Sequence, residues 1–466
     1  MLFSSISFLY YFLPLVLICY FILPFRLKNV CLLLFSLAFY FYGEPVYVFV
    51  MLGATLWSYA HGLLIEKYRD GKLGKVFLWS SVTGSLLALG FFKYADFFIS
   101  NVNGIFNSHI PLLKLALPIG ISFYTFQTLS YTIDVYRGET PAQKSYIKLA
   151  TYVTLFPQLI AGPIVRYTTV AEELESRHHS LENFATGIRR FAVGLGKKVL
   201  LADTLGAFAT ALHNTANPSV AGYWLYAVAV SLQLYFDFSG YSDMAIGLGR
   251  VFGFRFLENF NYPFISKSVA EFWRRWHISL GSWFRDYVYI PMGGNRVNTL
   301  YWLRNIAVVW FLTGFWHGAD WTFILWGLYF AVFLVLEKFW YNRVFVRLPK
   351  LFSHIYVTLV ILVSFVIFSG NGTIGALEDL GSMFFLEGLP LWSGETAYYL
   401  RSYGLPLILG ILGATPFVKM AAEKLRESRG GWVMDALEPV FLVAVLLIVT
   451  AYFVDGSFSP FLYFRF

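Results

Sequence analysis

The chain has 466 residues, of which 58% are hydrophobic, 20% aromatic and 13% charged, and its formal net charge is +8. A soluble domain carries about 25% charged residues, so the composition excludes a soluble globule, which could not bury this much apolar surface. A bilayer covers such surface, because a helix of about 20 apolar residues satisfies its own backbone hydrogen bonds in lipid. The composition therefore predicts an all-α, polytopic membrane protein.

Apolar runs follow one another along almost the whole chain and predict its membrane helices. The first lacks a preceding basic region and a cleavage site of small residues, so we expect a retained anchor instead of a removed signal peptide. In chain order the runs are 6–23, 29–42, 47–64, 76–95, 113–136, 186–212, 222–249, 304–319, 321–337, 353–369, 403–418 and 437–454.

A further apolar segment, 151–165, is interrupted by Pro157, Gly162 and Pro163. Irregular backbone at membrane depth is tolerated only where protein or a water-filled cavity satisfies its polar groups. We therefore predict a re-entrant piece here, in which a broken helix packs inside the protein and is not exposed to lipid.

Positive charge is confined to alternate loops. With the N-terminus placed outside, 31 of the 35 Lys and Arg residues fall in loops predicted to be cytoplasmic, including six at 166–198 and eight at 250–304. The longest loop of the opposite side, 370–400, holds acidic residues but neither Lys nor Arg. This positive-inside pattern predicts that both termini lie outside the cytoplasm. The net positive charge therefore reports on the orientation of the chain in the membrane and gives no support to a nucleic-acid partner.

Polar residues cluster at three places, and at membrane depth such clusters mark functional sites because polar groups are costly in lipid. The first cluster is QLYFDFSGYSD, within an otherwise apolar helix. Helical spacing places Gln233, Asp237 and Tyr241 on one stripe and Ser239 and Asp243 on another. The helix therefore faces the protein interior or water, and either close helix packing through its glycines or a direct role in a site fits the pattern.

The second cluster is EFWRRWHISLGSWFRDYVYIPMGGNR, residues 271–296, which is too charged for lipid and rich in aromatic residues. Its mixture of Trp and Arg is typical of an amphipathic segment at the membrane boundary. Two roles fit Arg274, Arg275 and Arg285: anchoring to anionic headgroups, or binding the phosphates of a nucleotide-bearing substrate, since guanidinium matches phosphate geometry.

The third cluster is WFLTGFWHGADW, residues 310–321, in which His317 follows an apolar helix. We expect Gly314 and Gly318 to clear space beside the imidazole and Trp316 and Trp321 to enclose it. An intramembrane histidine in such a setting favours a functional pocket over a packing role.

Three runs, DFSGYSDMAIGLG, NYPFISKSVAEFWRRWHISLGSWFRDYVYIPMGGNR and FWHGADW, occur in this order and resemble the membrane-bound O-acyltransferase family, in particular its bacterial alginate-type branch. The resemblance is most specific over 236–321 and extends over nearly the whole chain, so a single domain, 1–466, is expected. It implies a ring of tilted transmembrane helices with re-entrant segments around a central funnel, where a tunnel crosses the protein at a histidine.

By this resemblance, His317 in WHG corresponds to the family's catalytic histidine and His277 in RRWHISL to its second signature position. Neutral imidazole can take the proton of an attacking hydroxyl near neutral pH, so we expect His317 to be the general base and His277 to orient donor or base. A carboxylate can hold a histidine tautomer, and Asp237, Asp243 and Asp320 are candidates. The proposed substrate contacts are Arg274, Arg275, Trp316, Asp237, Ser239 and Asp243.

A metal site is the rival use of histidine. The remaining histidines are scattered over the chain without a ligand spacing such as HExxH. Cys19 and Cys31 lie in apolar segments and predict neither metal binding nor a disulfide. We therefore expect no metal and no permanently bound cofactor.

The resemblance implies an enzyme in the bacterial cytoplasmic membrane that moves acetyl groups from cytoplasmic acetyl-CoA across the lipid bilayer to an exported polysaccharide. It also implies a periplasmic or extracellular partner of the SGNH-hydrolase type, docked on the outer face. Two alternatives stay open: transfer of D-alanine from a carrier protein to teichoic acid, and a transporter or flippase in which the buried histidine relays protons. A pure scaffold is disfavoured, because buried polar clusters are costly.

Overall fold

The fold was analysed in a computed structural model, which describes residues 1–341, 349–428 and 431–456. This part of the chain is helical and contains no β-strand, as the composition predicts. It divides into two compact units, of which the first comprises Met1–Phe191 with Ser242–Leu257 and the second Ala192–Tyr241 with Glu258–Phe466.

Helices of the first unit follow the predicted apolar runs, where the backbone can satisfy its hydrogen bonds within each helix. The longest has 35 residues and ends at Asn107, which adopts a left-handed conformation. In chain order the helices are Ser7–Phe12, a π-helical turn, then Leu13–Ile22, Phe25–Gly43, Tyr47–Tyr68, Lys72–Phe106, Ile121–Arg137, Tyr146–Thr154, Phe156–Leu159, Tyr167–Glu175 and most of Leu181–Gly196.

The second unit contains the whole of the second and third polar clusters and most of the first. Short helices and π-helical turns alternate with long apolar helices in this unit. In chain order they are Lys197–Ala202, Asp203–His213, Val220–Val251, which continues into the first unit, Pro263–Ile265, Val269–Arg275, Ile278–Phe284, Arg285–Tyr289, Thr299–His317, Trp321–Leu336, Glu337–Tyr341, Lys350–Ser369, Gly372–Met383, Gly394–Gly413, Phe417–Arg426 and Gly431–Val454.

Several of these helices are long and apolar enough to cross a bilayer. Within the described ranges six qualify, and a bent pair, Gly394–Gly413 and Phe417–Arg426 at 69°, adds a seventh if it forms one span. Many of their large apolar side chains point away from the protein and would be covered by lipid. The protein is therefore a multi-pass membrane protein. The six are Phe25–Gly43, Tyr47–Tyr68, Lys72–Phe106, Trp321–Trp340, Lys350–Ser369 and Gly431–Val454.

The broken segment 151–165 is buried throughout, as the sequence predicts. The helix Tyr146–Thr154 ends before Phe156–Leu159, and the chain then continues without regular structure. Buried side chains satisfy part of the irregular backbone: the Phe156 amide donates to Ser36 Oγ at 3.0 Å, and the Tyr152 hydroxyl donates to the Val165 carbonyl oxygen at 2.9 Å.

The predicted run 113–136 becomes helical only at Ile121. Pro118 has no backbone N–H for a helix interior, and Gly120 adopts φ +75°. A Cβ atom at Gly120 would lie 2.6 Å from the carbonyl oxygen of Leu159, so only glycine fits this close approach.

One cation counted in the loops lies elsewhere. Lys198 is 4% exposed and sits on the π-helical turn Lys197–Ala202. Its Nζ lies 2.6 Å from Asp203 Oδ1 and 2.8 Å from Asp237 Oδ1. Because a buried charge requires a partner, Lys198 is part of an internal ion cluster, and the prediction that it contributes to a cytoplasmic loop is wrong.

Candidate active site

The two predicted histidines of the second unit both contact one tryptophan. The centroid of the Trp316 ring is 5.9 Å from that of His277 and 5.0 Å from that of His317, and both contacts are edge-to-face. Folding thus brings together two positions 40 residues apart in sequence, around a third predicted site residue.

The conformation of His277 is defined by its place in the chain. It caps the helix Ile278–Phe284 with φ +46°, a left-handed conformation that few non-glycine residues adopt. The preceding helix, Val269–Arg275, is capped by the Ser268 hydroxyl, which accepts a hydrogen bond from the Glu271 amide. His277 therefore lies at a sharp turn between two short helices, where its ring can point into the protein.

Asn259 determines which nitrogen of His277 carries the proton. Its Oδ1 accepts hydrogen bonds from the Ser279 amide at 3.1 Å and from the Ser279 hydroxyl at 2.9 Å, and lies 3.2 Å from His277 Nδ1. An oxygen that accepts an amide hydrogen can only accept from Nδ1 as well, so Nδ1 is the protonated nitrogen of the neutral ring.

The other nitrogen of His277, Nε2, is then a hydrogen-bond acceptor. It has no partner among the residues that the structure describes. The residue is 1% exposed, and this burial lowers the pKa of His277 to about 3, which keeps the ring neutral near pH 7. A neutral imidazole with a free Nε2 can accept a proton or a hydrogen bond from a bound molecule.

A cavity of about 440 Å³ lies beside His277. Its walls include the indoles of Trp273 and Trp310 and the side chains of Arg274 and Arg285. The volume is typical of pockets for small ligands, which span about 300–1,000 Å³. Aromatic walls with two guanidinium groups suit a ligand that carries both an apolar part and an anionic group.

The two neighbouring arginines have different surroundings. Arg274 lines the cavity, whereas the guanidinium of Arg275 pairs with Glu271 at 2.9 Å and donates to the Asn261 carbonyl oxygen at 3.1 Å. Arg275 therefore fixes the helix Val269–Arg275 to the preceding loop, and Arg274 is better placed than Arg275 to meet a ligand.

His317 ends the helix Thr299–His317 and is 4% exposed. Edge-to-face contacts with Trp326 at 5.0 Å and Phe368 at 5.5 Å enclose its ring together with Trp316. Trp321, the expected second wall, is 52% exposed. His317 is not among the residues that line the cavity beside His277 in the described part of the chain.

The glycines near His317 serve helix packing. A Cβ at Gly314 would lie 2.2 Å from the Phe323 carbonyl oxygen, and one at Gly318 would lie 2.2 Å from the Phe323 ring. The helices Thr299–His317 and Trp321–Leu336 thus meet at these positions. The expectation that the two glycines leave open space beside the imidazole is wrong, because the neighbouring helix fills it.

Most of the first polar cluster is buried. Asp237 is 1% exposed and pairs with Lys198, while the nearby Ser239 is also buried. A Cβ at Gly240 would lie 2.8 Å from the Gly194 carbonyl oxygen, so this helix packs closely on its neighbour. Asp237 reaches the histidine region through the next residue, because the Phe238 ring contacts the His277 ring edge-to-face at 4.6 Å.

The other two candidate carboxylates contribute to local structure. Asp243, in the first unit, accepts two hydrogen bonds from the Arg190 guanidinium, at 3.0 and 2.8 Å. Asp320 caps the helix that begins at Trp321 by accepting the Thr322 amide at 2.7 Å.

Asn259 is a site residue that the sequence analysis missed. It is 0% exposed and lies 18 residues before His277 in a loop without regular structure. A neutral amide side chain in a loop carries no charge and follows no helical or motif spacing, so nothing in the sequence marks it as part of a site. The only hint in the sequence is its position just outside the motif that begins at Asn261.

Comparisons with known proteins show the family of this chain. The sequence profile of the membrane-bound O-acyltransferase family matches residues 140–375, which include both histidines. The chain is 38% identical to a probable alginate O-acetylase of Azotobacter vinelandii over the full length of both proteins. It is 32% identical to a peptidoglycan O-acetyltransferase of Helicobacter pylori, covering 100% of this chain and 98% of that protein.

A teichoic acid D-alanyltransferase of Bacillus subtilis is 31% identical over 56% of this chain and 71% of its own length. The relatives thus share transfer of an acyl group, although their names give different acceptors. The family profile covers half of the chain, and relatives above 30% identity match its full length. The protein belongs to the membrane-bound O-acyltransferase family.

Proposed function

We propose that this protein moves an acetyl group from cytoplasmic acetyl-CoA across the membrane for the O-acetylation of an exported polysaccharide. The observation that supports this most is that both histidines contact Trp316, and that His277 lines a cavity with aromatic walls and two arginines. The full-length similarity to an alginate O-acetylase and a peptidoglycan O-acetyltransferase favours acetate as the acyl group and a polysaccharide as the acceptor.

In the proposed reaction, His317 takes the proton of the acceptor hydroxyl as its oxygen attacks the thioester carbonyl carbon. The new C–O bond forms, the C–S bond breaks, and the leaving coenzyme A thiolate takes the proton from the imidazolium of His317, which restores the neutral base. Such base catalysis contributes about 10²–10⁴-fold to a rate. His277 orients the donor through Nε2, and Arg274 and Arg285 bind its anionic groups.

The remaining site residues have supporting roles in this proposal. Trp316 separates and orients the two imidazoles, and the pair of Asp237 with Lys198 holds the helix that presents Phe238 to His277. Ser239 and Asp243 help to position the same helix. Arg275 helps to position the helix Val269–Arg275 through its ion pair with Glu271.

We further propose that the protein resides in the bacterial cytoplasmic membrane with both termini outside. The charge pattern supports this orientation, since nearly all cations fall on one set of alternate loops. The donor then enters from the cytoplasm, and a periplasmic or extracellular protein of the SGNH-hydrolase type receives the acetyl group and delivers it to the polymer.

The test is transfer of radiolabel from [¹⁴C]acetyl-CoA in membranes that contain the wild-type protein or His317→Asn. We expect label in the polysaccharide for the wild-type protein and a large loss for the variant, with both proteins inserted to the same level. Label that arises only from a D-alanyl carrier protein would support the alternative that the Bacillus relative suggests. A His317→Asn protein that acetylates normally would refute the catalytic role.

A further inference from the structure

One acidic side chain is buried at the end of a membrane helix. Glu337 follows the helix Trp321–Leu336 and is 8% exposed. Three groups contact its carboxylate: the Val269 amide donates to Oε1, the Ala270 amide donates to Oε2 at 3.0 Å, and the Tyr356 hydroxyl donates a further hydrogen bond. Because a buried carboxylate is costly without such partners, Glu337 is tied to the segment that carries these two amides.

The two amides begin the short helix Val269–Arg275. The first amides of a helix have no acceptor within it. Here Glu337 accepts those of the first two residues, and Ser268 Oγ accepts the third, from Glu271, at 3.0 Å. The helix has seven residues, whereas an isolated helix needs about 12–15 to be stable in water. It therefore depends on contacts with other parts of the chain, and a carboxylate at its positive end is a stabilising one.

The same short helix carries residues of the histidine site. Trp273 and Arg274 line the cavity of about 440 Å³, and His277, which also lines it, comes two residues after the helix ends. Because a helix rises about 1.5 Å per residue, Arg274 lies only about 6 Å along the helix axis from Ala270. A shift of the first turn is therefore transmitted to the cavity wall.

The helix Trp321–Leu336, which immediately precedes Glu337, also contacts the other histidine. The centroid of its Trp326 ring lies 5.0 Å from that of the His317 ring, in an edge-to-face contact. One membrane helix thus contacts His317 through Trp326 and, at its end, fixes through Glu337 the start of the short helix that leads to His277. Its two contacts relate the position of one histidine to that of the other.

We propose that Glu337 is a positioning residue for the acyl-transfer reaction. Its carboxylate holds the helix Val269–Arg275 in the place where Arg274 and His277 meet the acyl donor. This inference rests on the proposed function, which assigns donor binding to Arg274 and His277 and proton transfer to His317. Loss of the carboxylate therefore weakens donor binding and leaves the proton-transfer step nearly unchanged, so it raises KM more than it lowers kcat.

The test compares the wild-type protein with Glu337→Ala and Glu337→Gln. Acetyl transfer kinetics are measured in proteoliposomes, and coenzyme A is titrated calorimetrically into the full-length protein in maltoside micelles. Glu337→Ala removes both acceptor oxygens and should raise the KM for acetyl-CoA and the Kd of coenzyme A about tenfold, with kcat within about twofold of wild type. Glu337→Gln keeps one acceptor oxygen, so we expect a rise of about threefold in both constants. If Glu337→Ala is not inserted, Glu337→Gln decides alone.

Ser393→Ala is the matched control for the loss of a helix cap. The Ser393 hydroxyl accepts the Thr396 amide at 3.2 Å at the start of the helix Gly394–Gly413, and Ser393 is not among the described residues that line the cavity. This variant should lower Tm without changing KM or Kd. Unchanged KM and Kd in the Glu337 variants, a fall of kcat alone, or an equal rise of KM in Ser393→Ala overturns the role of Glu337. A wild-type protein that neither binds coenzyme A nor transfers acetyl groups overturns the proposed function, and this inference with it.

Discussion

The two histidines of the second unit have different surroundings. His277 is fixed by its left-handed backbone and by the hydrogen bond to Asn259, which assigns the proton to Nδ1. His317 is enclosed by the rings of Trp316, Trp326 and Phe368. Ring packing sets the plane of an imidazole but does not by itself specify its tautomer. These surroundings are compatible with the proposed roles, orientation of the donor for His277 and proton transfer for His317.

The largest effect should separate the two histidines directly. We expect His317→Asn to lower kcat about 10³-fold, within the range for loss of a general base. In His277→Asn the backbone can keep its left-handed conformation, because asparagine tolerates it. The variant should therefore lose only the imidazole, and we expect kcat/KM to fall about tenfold, which corresponds to about 1.4 kcal/mol of transition-state stabilisation. Acetyl transfer kinetics in proteoliposomes measure both. Equal losses in the two variants would show that the different surroundings do not produce different roles.

A smaller effect is expected for the residue that fixes the tautomer. Asn259→Leu removes the acceptor for Nδ1 and should lower kcat/KM about fivefold, since a hydrogen bond contributes about 1 kcal/mol. Asn259→Asp retains an acceptor oxygen and should recover most of the loss. Comparable losses in Asn259→Leu and Asn259→Asp would indicate that the residue supports only the fold.

The aromatic enclosure of His317 can be tested with Phe368→Leu. An edge-to-face pair contributes about 0.5–1.5 kcal/mol beyond burial, so a loss of kcat of roughly twofold to tenfold is expected with little change in KM. Phe365→Leu is the matched control, because Phe365 is buried in the same helix and contacts Phe272 and Trp276. A larger loss of kcat in the control would argue against a specific role of Phe368.

A separate prediction concerns the dependence of stability on pH. The pKa of His277 is about 3 in the folded protein because of burial, against 6.5 for the ordinary group. Between pH 3 and 6.5, His277 is therefore protonated in the unfolded chain but not in the folded protein. The free energy of unfolding consequently falls as the pH drops below 6.5. His277→Asn should flatten the dependence of Tm on pH between 5 and 7.

His213 supplies a control of opposite sign. Its hydrogen bond to Asp379 raises the pKa of His213 above 6.5. The bond therefore stabilises the protein fully below 6.5, and this contribution is lost as the pH rises through the raised pKa. His213→Asn should make the fall of Tm at low pH steeper. A change in the same direction for both variants would contradict these assignments.

Much of the fold could be predicted from sequence, because apolar runs leave direct signals in composition. The two histidines that the sequence singles out contact the same tryptophan, Trp316. The prediction was wrong where a neighbour in space decides the outcome. Lys198 was assigned to a loop because the sequence does not show that folding brings Asp203 and Asp237 to its ammonium group. Gly314 was expected to leave space that Phe323 fills. Asn259 carries no charge, and only folding places its oxygen against His277.

The helix Lys72–Phe106 has a geometric consequence for the membrane around it. Its 35 residues rise about 52 Å, whereas the hydrocarbon layer is about 30 Å thick. Even a tilt of about 40°, the upper end of the usual range, leaves roughly 40 Å along the bilayer normal. At least two turns must therefore stand clear of the acyl chains, so this helix reaches through the headgroup layer towards the aqueous phase.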